Sequence, residues 1–332
     1  MATPRTIGII GAGAWGAALA QVTARAGGRV QLYARRPEAV EAINRERSAP
    51  NLPGIRLCPE IIATGELAEA AAADVVVLAT PAQTTRAVSS EVAPHVAPRT
   101  PIVITAKGIE RDTGRLLSEV IAETIPHGRI AVLSGPGFAR EVASGLPTAV
   151  TIASVDRAVA PVLLESFAAP SFRPYASEDV RGVQIGGALK NVLAIAAGIV
   201  IGRALGASAH AALTTRALAE LIRIGVADGG RRETLTGLSG LGDLLLTSTN
   251  PQSRNFTFGE KLGRGETTVA ETRTGGPLVE GVATAPVALR IARRLEVDTP
   301  IIAAVAAVLS DKLTIDAAIE ALLSRPLKRE ED

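Results

Sequence analysis

The chain has 332 residues, 47% of them hydrophobic, and its 35 basic and 33 acidic side chains leave a formal charge of +2. That describes a globular protein long enough for two domains, and the near-balanced charge, with no polybasic block or basic–aromatic stripe, excludes nucleic acid as a natural partner. A single cysteine, Cys58, excludes an intrachain disulfide and fits a reducing, cytoplasmic compartment; the first residues run almost directly into a strand pattern with no signal-like apolar region.

Residues 6–10 form a short apolar run that reads as a buried strand. Gly11, Gly13 and Gly16 follow in G-x-G-x-x-G spacing; residues 14–26 read as a helix, and residues 29–33 as the returning strand. Each glycine has a physical task in dinucleotide binding. Gly11 makes the tight turn, Gly13 lets backbone amides approach a pyrophosphate, and Gly16 lets the helix lie against the strand. The helix N-terminus then offers unpaired N–H groups and partial positive charge to the phosphates.

The end of the second strand selects the cofactor. A carboxylate there would hold the ribose 2′-hydroxyl of NAD, but this chain has Ala34-Arg35-Arg36, with Glu38 already in the next helix. Two guanidiniums suit a 2′-phosphate and predict NADPH as the preferred cofactor, with NADH also accepted. A solvated basic turn is the competing reading.

Residues 37–47 read as a helix opened by Pro37, and residues 48–58 as a proline-containing loop. Residues 74–79 are a continuous apolar run, the pattern of a parallel strand buried on both faces. Helices are expected at 82–96 and 113–125, and strands at 101–105, 129–133 and 148–153. This alternation predicts an α/β protein whose N-terminal part, residues 1–182, is a doubly wound Rossmann-type sheet. Gly11, Thr80, Lys107 and Ser134 would lie at the C-terminal strand ends, where such sheets bind ligands. From about Val183 helical spacing takes over at 182–202, 208–228, 284–295, 300–309 and 314–323, predicting an all-α domain over residues 183–332. Its apolar helices fit either a homodimer interface or the core of one chain. No apolar run reaches membrane-span length, because Lys190 and Asn191 interrupt residues 188–201 and residues 300–309 are too few.

Only five of the 35 basic residues are lysine: Lys107, Lys190, Lys261, Lys312 and Lys328. In a chain that uses arginine so freely, a lysine can mark a place needing an ammonium able to lose its proton; compositional drift suffices for Lys312 and Lys328. Lys190 and Asn191 sit inside an otherwise apolar helix, where partial desolvation would lower the lysine pKa and make it a competent acid/base. The competing reading is a side chain that snorkels to the surface. Asp243 lies on a glycine-rich turn amid leucines and calls for a cationic partner, a catalytic lysine being one candidate; a plain helix cap is the alternative. Ser253-Arg254-Asn255, just ahead of a helical run, suits a phosphate or carboxylate. His95, His127 and His210 read as surface or structural, and no residues show metal-ligand spacing, so no catalytic metal is expected.

Over nearly its whole length the chain resembles the bacterial NAD(P)-dependent glycerol-3-phosphate dehydrogenases. The resemblance rests on Gly11-Ala12-Gly13-Ala14-Trp15-Gly16, Lys107-Gly108, residues 134–142, Ala188-Leu189-Lys190-Asn191, residues 237–247, Ser253-Arg254-Asn255 and Val279-Glu280-Gly281. It implies reversible reduction of dihydroxyacetone phosphate to sn-glycerol 3-phosphate, a precursor for phospholipid synthesis. It further implies Lys190 as general acid/base, Lys107 beside it at the substrate, and Asp243 holding Lys190. Gly135, Gly137, Ser253, Arg254 and Asn255 would line the substrate site with those three. The cofactor would contact the glycine turn with Ala14 and Trp15, then Arg35, Arg36 and Lys107, and finally Ala139, Arg254, Val279 and Glu280. Two positions depart from the family pattern: Gly137 stands where a serine is usual, and Phe256-Thr257 replaces a pair that is often basic. A related two-domain β-hydroxyacid or imine-type dehydrogenase, and a nucleotide-binding sensor that no longer turns over, are the rival readings.

Overall fold

The computed structural model describes residues 5–272, 276, 278–327 and 329. The sheet is built from β1 (Thr6–Ile10), β2 (Arg29–Tyr33), β3 (Ile61–Thr64), β4 (Val75–Leu78), β5 (Pro101–Ile104), β6 (Arg129–Ser134), β7 (Thr148–Ala153) and β8 (Phe172–Ser177). Helices α1 (Ala14–Arg25), α2 (Pro37–Glu41), α3 (Leu67–Ala71), α4 (Thr85–Val92), α5 (Leu117–Thr124), α6 (Ala139–Ser144) and α7 (Val159–Phe167) alternate with the strands. Beyond the sheet run α8 (Val180–Gly202), α9 (Ala207–Ala227), α10 (Arg232–Leu235), α11 (Asp243–Thr249), α12 (Arg254–Arg264), α13 (Glu280–Arg294), α14 (Pro300–Leu309) and α15 (Ile315–Leu323).

Strand order is β3-β2-β1-β4-β5-β6-β7-β8, parallel from β3 to β6, so the order reverses between β1 and β4 as in a doubly wound Rossmann sheet. The all-apolar β4 is buried at every position, which is why its sequence does not alternate. At the first turn Gly11 adopts φ +118°, and a Cβ on Gly16 would stand 1.9 Å from the Gly11 carbonyl oxygen. Both positions therefore require glycine.

Several elements differ from the sequence expectations. The run at 148–153 pairs antiparallel with β6, not parallel, and carries the additional edge strand β8. The helix expected from residue 113 begins at Leu117, because Ile109 and Leu116 form a bridge and the Glu119 carboxylate accepts from the Leu116 N–H at 2.8 Å. The segment at 37–47 passes from α2 into a π-helical turn, Ala42–Glu46. The helical part opens at Val180, where Asp179 accepts the Gly182 N–H at 2.8 Å.

The expectation that no segment is long enough to span a membrane needs correction. Val180–Gly202 has 23 residues, and its most apolar window reaches a mean hydropathy of 1.8, sufficient by length and composition. That window is 89% buried within the protein, and α9, α11, α12, α13 and α14 all pack on it. It is the central core helix, and the apolarity of the second half is thus largely absorbed by this chain's own core.

Candidate active site

Where the strand order reverses, the C-terminal ends of β1, β4 and β5 open onto a cleft of about 550 Å³. Gly13, Ala14, Trp15, Thr80 and Lys107 form its wall on the sheet side; Lys190, Asn191, Asp243, Thr247 and Arg254 form the helical side. A hollow of about 580 Å³ on the outer face, at Arg203, Asp316 and Leu323, contains none of the predicted site residues.

Asp243, in the first turn of α11 and 1% exposed, bridges the two lysines. Its Oδ2 accepts from Lys107 Nζ at 2.6 Å, and its Oδ1 pairs with Lys190 Nζ at 3.0 Å. Lys107 also donates to the Gly135 carbonyl at 2.8 Å and lies 5.9 Å from the Trp15 ring centroid. Lys190 donates to the Thr247 hydroxyl at 2.7 Å, and that hydroxyl donates to Asp243 Oδ1 at 3.3 Å. Lys190 is 7% exposed, so it does not snorkel.

Burial pushes the Lys190 ammonium down to about 8; the Asp243 carboxylate opposes that fall, and the Lys107 charge adds to it. Burial works against charge on Asp243, yet the two ammoniums outweigh it and hold this carboxyl below its ordinary range. The cluster is thus one fixed anion between two cations, one of them poised to release its proton near neutrality.

The sheet-side wall suits a dinucleotide. Gly13 has open space where a Cβ would stand, and the first turn of α1 holds no acidic residue. Trp15 Nε1 and Glu280 Oε2 are buried without a hydrogen-bond partner among the described residues: one unused donor and one unused acceptor on cleft-lining side chains. Glu280 Oε1 accepts from the Ala82 N–H at 3.0 Å, and burial pushes its carboxyl up.

The other predicted residues divide by position. Gly137 and Ala139 line the cleft; Ser253 and Asn255 line it too. Ser253 caps α12 by accepting the Phe256 N–H at 3.2 Å, which leaves its O–H free to donate. Val279 is the cap residue of α13 and, like Gly11, Gly16, Arg35 and Arg36, is not part of the cleft wall. Arg35 and Arg36 are exposed beyond β2 and form no ion pair among the described residues. Phe256 is buried against His210, ring centroids 6.4 Å apart, and Thr257 donates to the Pro251 carbonyl at 2.8 Å. Neither residue is part of the cleft wall. A Cβ on Gly137 would meet Trp15, Thr148 and Val142 at 3.4 Å, so the glycine leaves only a small gap.

Sequence reasoning assigned no role to Thr247 or Arg140. Thr247 is four residues after Asp243 on one helix, which places both on the same face and was a readable signal. Arg140 lines the cleft, and nothing local in its exposed helix position announces that. Among the described residues no group of three or more His, Cys, Asp or Glu is arranged to hold a metal.

A family described as NAD-dependent glycerol-3-phosphate dehydrogenase matches residues 6–160 with its N-terminal part and residues 179–320 with its C-terminal part. The chain belongs to this family. It is 57% identical over 326 residues to a glycerol-3-phosphate dehydrogenase (NAD(P)+) of Bradyrhizobium diazoefficiens, covering 98% of each chain. To the enzyme of the same name from Rhodopseudomonas palustris (strain TIE-1) it is 55% identical over 331 residues, covering 100% of each. The crystal structure of glycerol-3-phosphate dehydrogenase from Coxiella burnetii matches with a TM-score of 0.91 at 36% identity, covering 97% of this chain and 99% of that one. A ketopantoate reductase from Ralstonia eutropha, 18% identical with a TM-score of 0.62, shares the fold. Among glycerol-3-phosphate dehydrogenases, then, this one carries Gly13 of the glycine turn, both lysines and Asp243 in a single cleft.

Proposed function

We propose that this enzyme reduces dihydroxyacetone phosphate reversibly to sn-glycerol 3-phosphate, with NADPH preferred and NADH accepted. The observation that carries the reading is the Lys107–Asp243–Lys190 cluster facing a glycine-lined dinucleotide wall across one cleft. Gly13, Ala14 and Trp15 would hold the dinucleotide, whose nicotinamide would supply or accept the hydride at C2 of the substrate. Lys190, its proton loosened by burial, donates to the C2 oxygen as negative charge develops there, and takes the proton back in the oxidative direction. Lys107 adds positive charge at the same oxygen, and Asp243 holds both ammoniums in place. Arg254, the Ser253 hydroxyl and the Asn255 amide bind the substrate phosphate and so fix C2 in position.

In this reading residues 1–182 hold the cofactor, residues 183–332 supply the proton and the phosphate site, and the product feeds phospholipid synthesis. One unpaired cysteine fits a cytoplasmic setting. The intact cluster of lysines and aspartate argues against a sensor that has lost turnover, and the Ser253-Arg254-Asn255 cap favours a phosphorylated ketone over the β-hydroxyacids.

The deciding experiment follows NADPH absorbance with dihydroxyacetone phosphate and repeats it with NADH. Substrate-dependent loss that is faster with NADPH is expected. Loss of that preference in Arg35→Asp would assign it to the basic turn; equal rates for both cofactors in the wild-type enzyme would remove the preference and keep the reaction. No loss with either cofactor would overturn the reaction.

A further inference from the structure

The lysine cluster leaves one feature of the cleft unexplained. Asn191 follows Lys190 on α8, is 3% exposed, and joins a continuous string of amide hydrogen bonds. Asn191 Nδ2 donates to the Lys107 carbonyl at 2.8 Å; Asn255 Nδ2 donates to Asn191 Oδ1 at 2.9 Å; the Gly281 backbone N–H donates to Asn255 Oδ1 at 2.9 Å. The string joins the end of β5, α8, α12 and the N-terminus of α13.

Its polarity is fixed from both ends. A carboxamide can present either its oxygen or its nitrogen to a neighbour, but a backbone N–H can only donate and a carbonyl can only accept. Gly281 therefore forces the Asn255 oxygen towards α13, and Lys107 forces the Asn191 nitrogen towards β5. Between those constraints Asn255 must turn its NH2 to Asn191 Oδ1. Its second N–H is engaged by no hydrogen bond among the described residues, and Asn255 lines the cleft together with Arg254 and Ser253, so the three side chains can together offer donors to an anion.

We propose that Asn191 is a positioning residue for substrate binding: by accepting from Asn255 it holds that amide with a donor, and never its oxygen, towards the substrate phosphate. This deepens the proposed reaction and rests on it. Without the Asn191 acceptor the Asn255 amide loses one of its two restraints and can rotate away from the phosphate.

The test is a binding cycle on the whole enzyme, titrating sn-glycerol 3-phosphate calorimetrically with NADPH bound, a pairing between which no hydride can pass. Asn191→Leu, close in size and unable to hydrogen-bond, is expected to raise the sn-glycerol 3-phosphate Kd about tenfold or more while the NADPH Kd, read by fluorescence, stays within about twofold. Because Asn191 acts through Asn255, adding Asn191→Leu to Asn255→Ala should raise the Kd less than about twofold further. A single variant that binds sn-glycerol 3-phosphate as the wild type does, or losses that multiply in the double variant, would overturn the proposal. Asn191→Ala, which likewise lacks the acceptor, serves the same comparison if the leucine variant does not fold. Loss of NADPH binding in both would also overturn it, by making Asn191 a folding residue. Failure of the underlying reading shows separately, as wild-type enzyme that neither binds sn-glycerol 3-phosphate nor turns over.

Discussion

At the scale of single residues, the chemistry of the proposed reaction concentrates on Lys190. Its burial favours the neutral amine, and Asp243 keeps the ammonium accessible, so its titration near 8 falls inside the working range. Reduction needs the protonated form and oxidation the neutral one. The reductive kcat/KM for dihydroxyacetone phosphate should therefore be flat below pH about 8 and fall above it, while the oxidative rate with sn-glycerol 3-phosphate rises through the same point. Opposite pH limbs in the two directions are the signature, read from paired initial-rate profiles; parallel limbs would assign the titration to another group. Lys190→Ala should lower turnover by roughly 10²–10⁴-fold with the NADPH Kd unchanged, and near-normal turnover would remove Lys190 from the proton transfer.

At the scale of elements, α8 decides the geometry of the site. It carries Lys190 and Asn191 on a helix buried along most of its length, so both side chains are held by packing on several sides. Glycines let its neighbours come close. A Cβ on Gly198 would stand 2.1 Å from the Phe256 carbonyl oxygen and 2.7 Å from the Glu260 nitrogen, both backbone atoms of α12. Gly198→Ala must therefore push α12 outward, and α12 begins with Arg254 and Asn255, the residues proposed to bind the substrate phosphate. The expected cost is about 1–3 kcal/mol, measured as a lower Tm, together with a raised KM for dihydroxyacetone phosphate. An unchanged Tm and KM would show that the two helices have slack between them.

At the scale of the whole molecule, the helical half is tied together by a buried carboxylate outside the active site. Glu220 on α9 is 1% exposed and accepts the N–H groups of Ile301 and Ile302, at 2.7 and 3.0 Å, at the start of α14. Burial pushes its carboxyl up to about 7, against the pull of those two N–H groups. The folded state then binds this proton more tightly than the unfolded chain does. Stability linked to Glu220 is full below its ordinary value of 4.5 and is lost as pH rises towards about 7, on the order of 3 kcal/mol in all. Denaturant unfolding of wild type and Glu220→Gln between pH 4.5 and 7.5 checks it. The wild-type stability should fall relative to the variant across that window, and a constant difference would mean that Glu220 does not titrate there.

What the sequence determined by itself was whatever depends on near neighbours. The apolar run, glycine turn and helix at residues 6–25 are one local unit, and the lysine and asparagine inside an apolar helix stood out because burying them is costly. Family resemblance extended this to the residues of the cleft. Tertiary structure decided the rest. The edge strand β8, with Arg173, Pro174 and an exposed Tyr175, has no run of its own to recognise and exists because β7 offers it a partner. The antiparallel sense of β7 is likewise a matter of chain reversal, to which a local apolar pattern is blind. Lys107 and Asp243 are 136 residues apart in sequence, and only packing makes them a pair. The same holds for the amide string, whose polarity is imposed by a backbone donor at one end and a backbone acceptor at the other. Residue type announces that a carboxamide can donate and accept; which end faces the substrate is settled only when both backbones are in place.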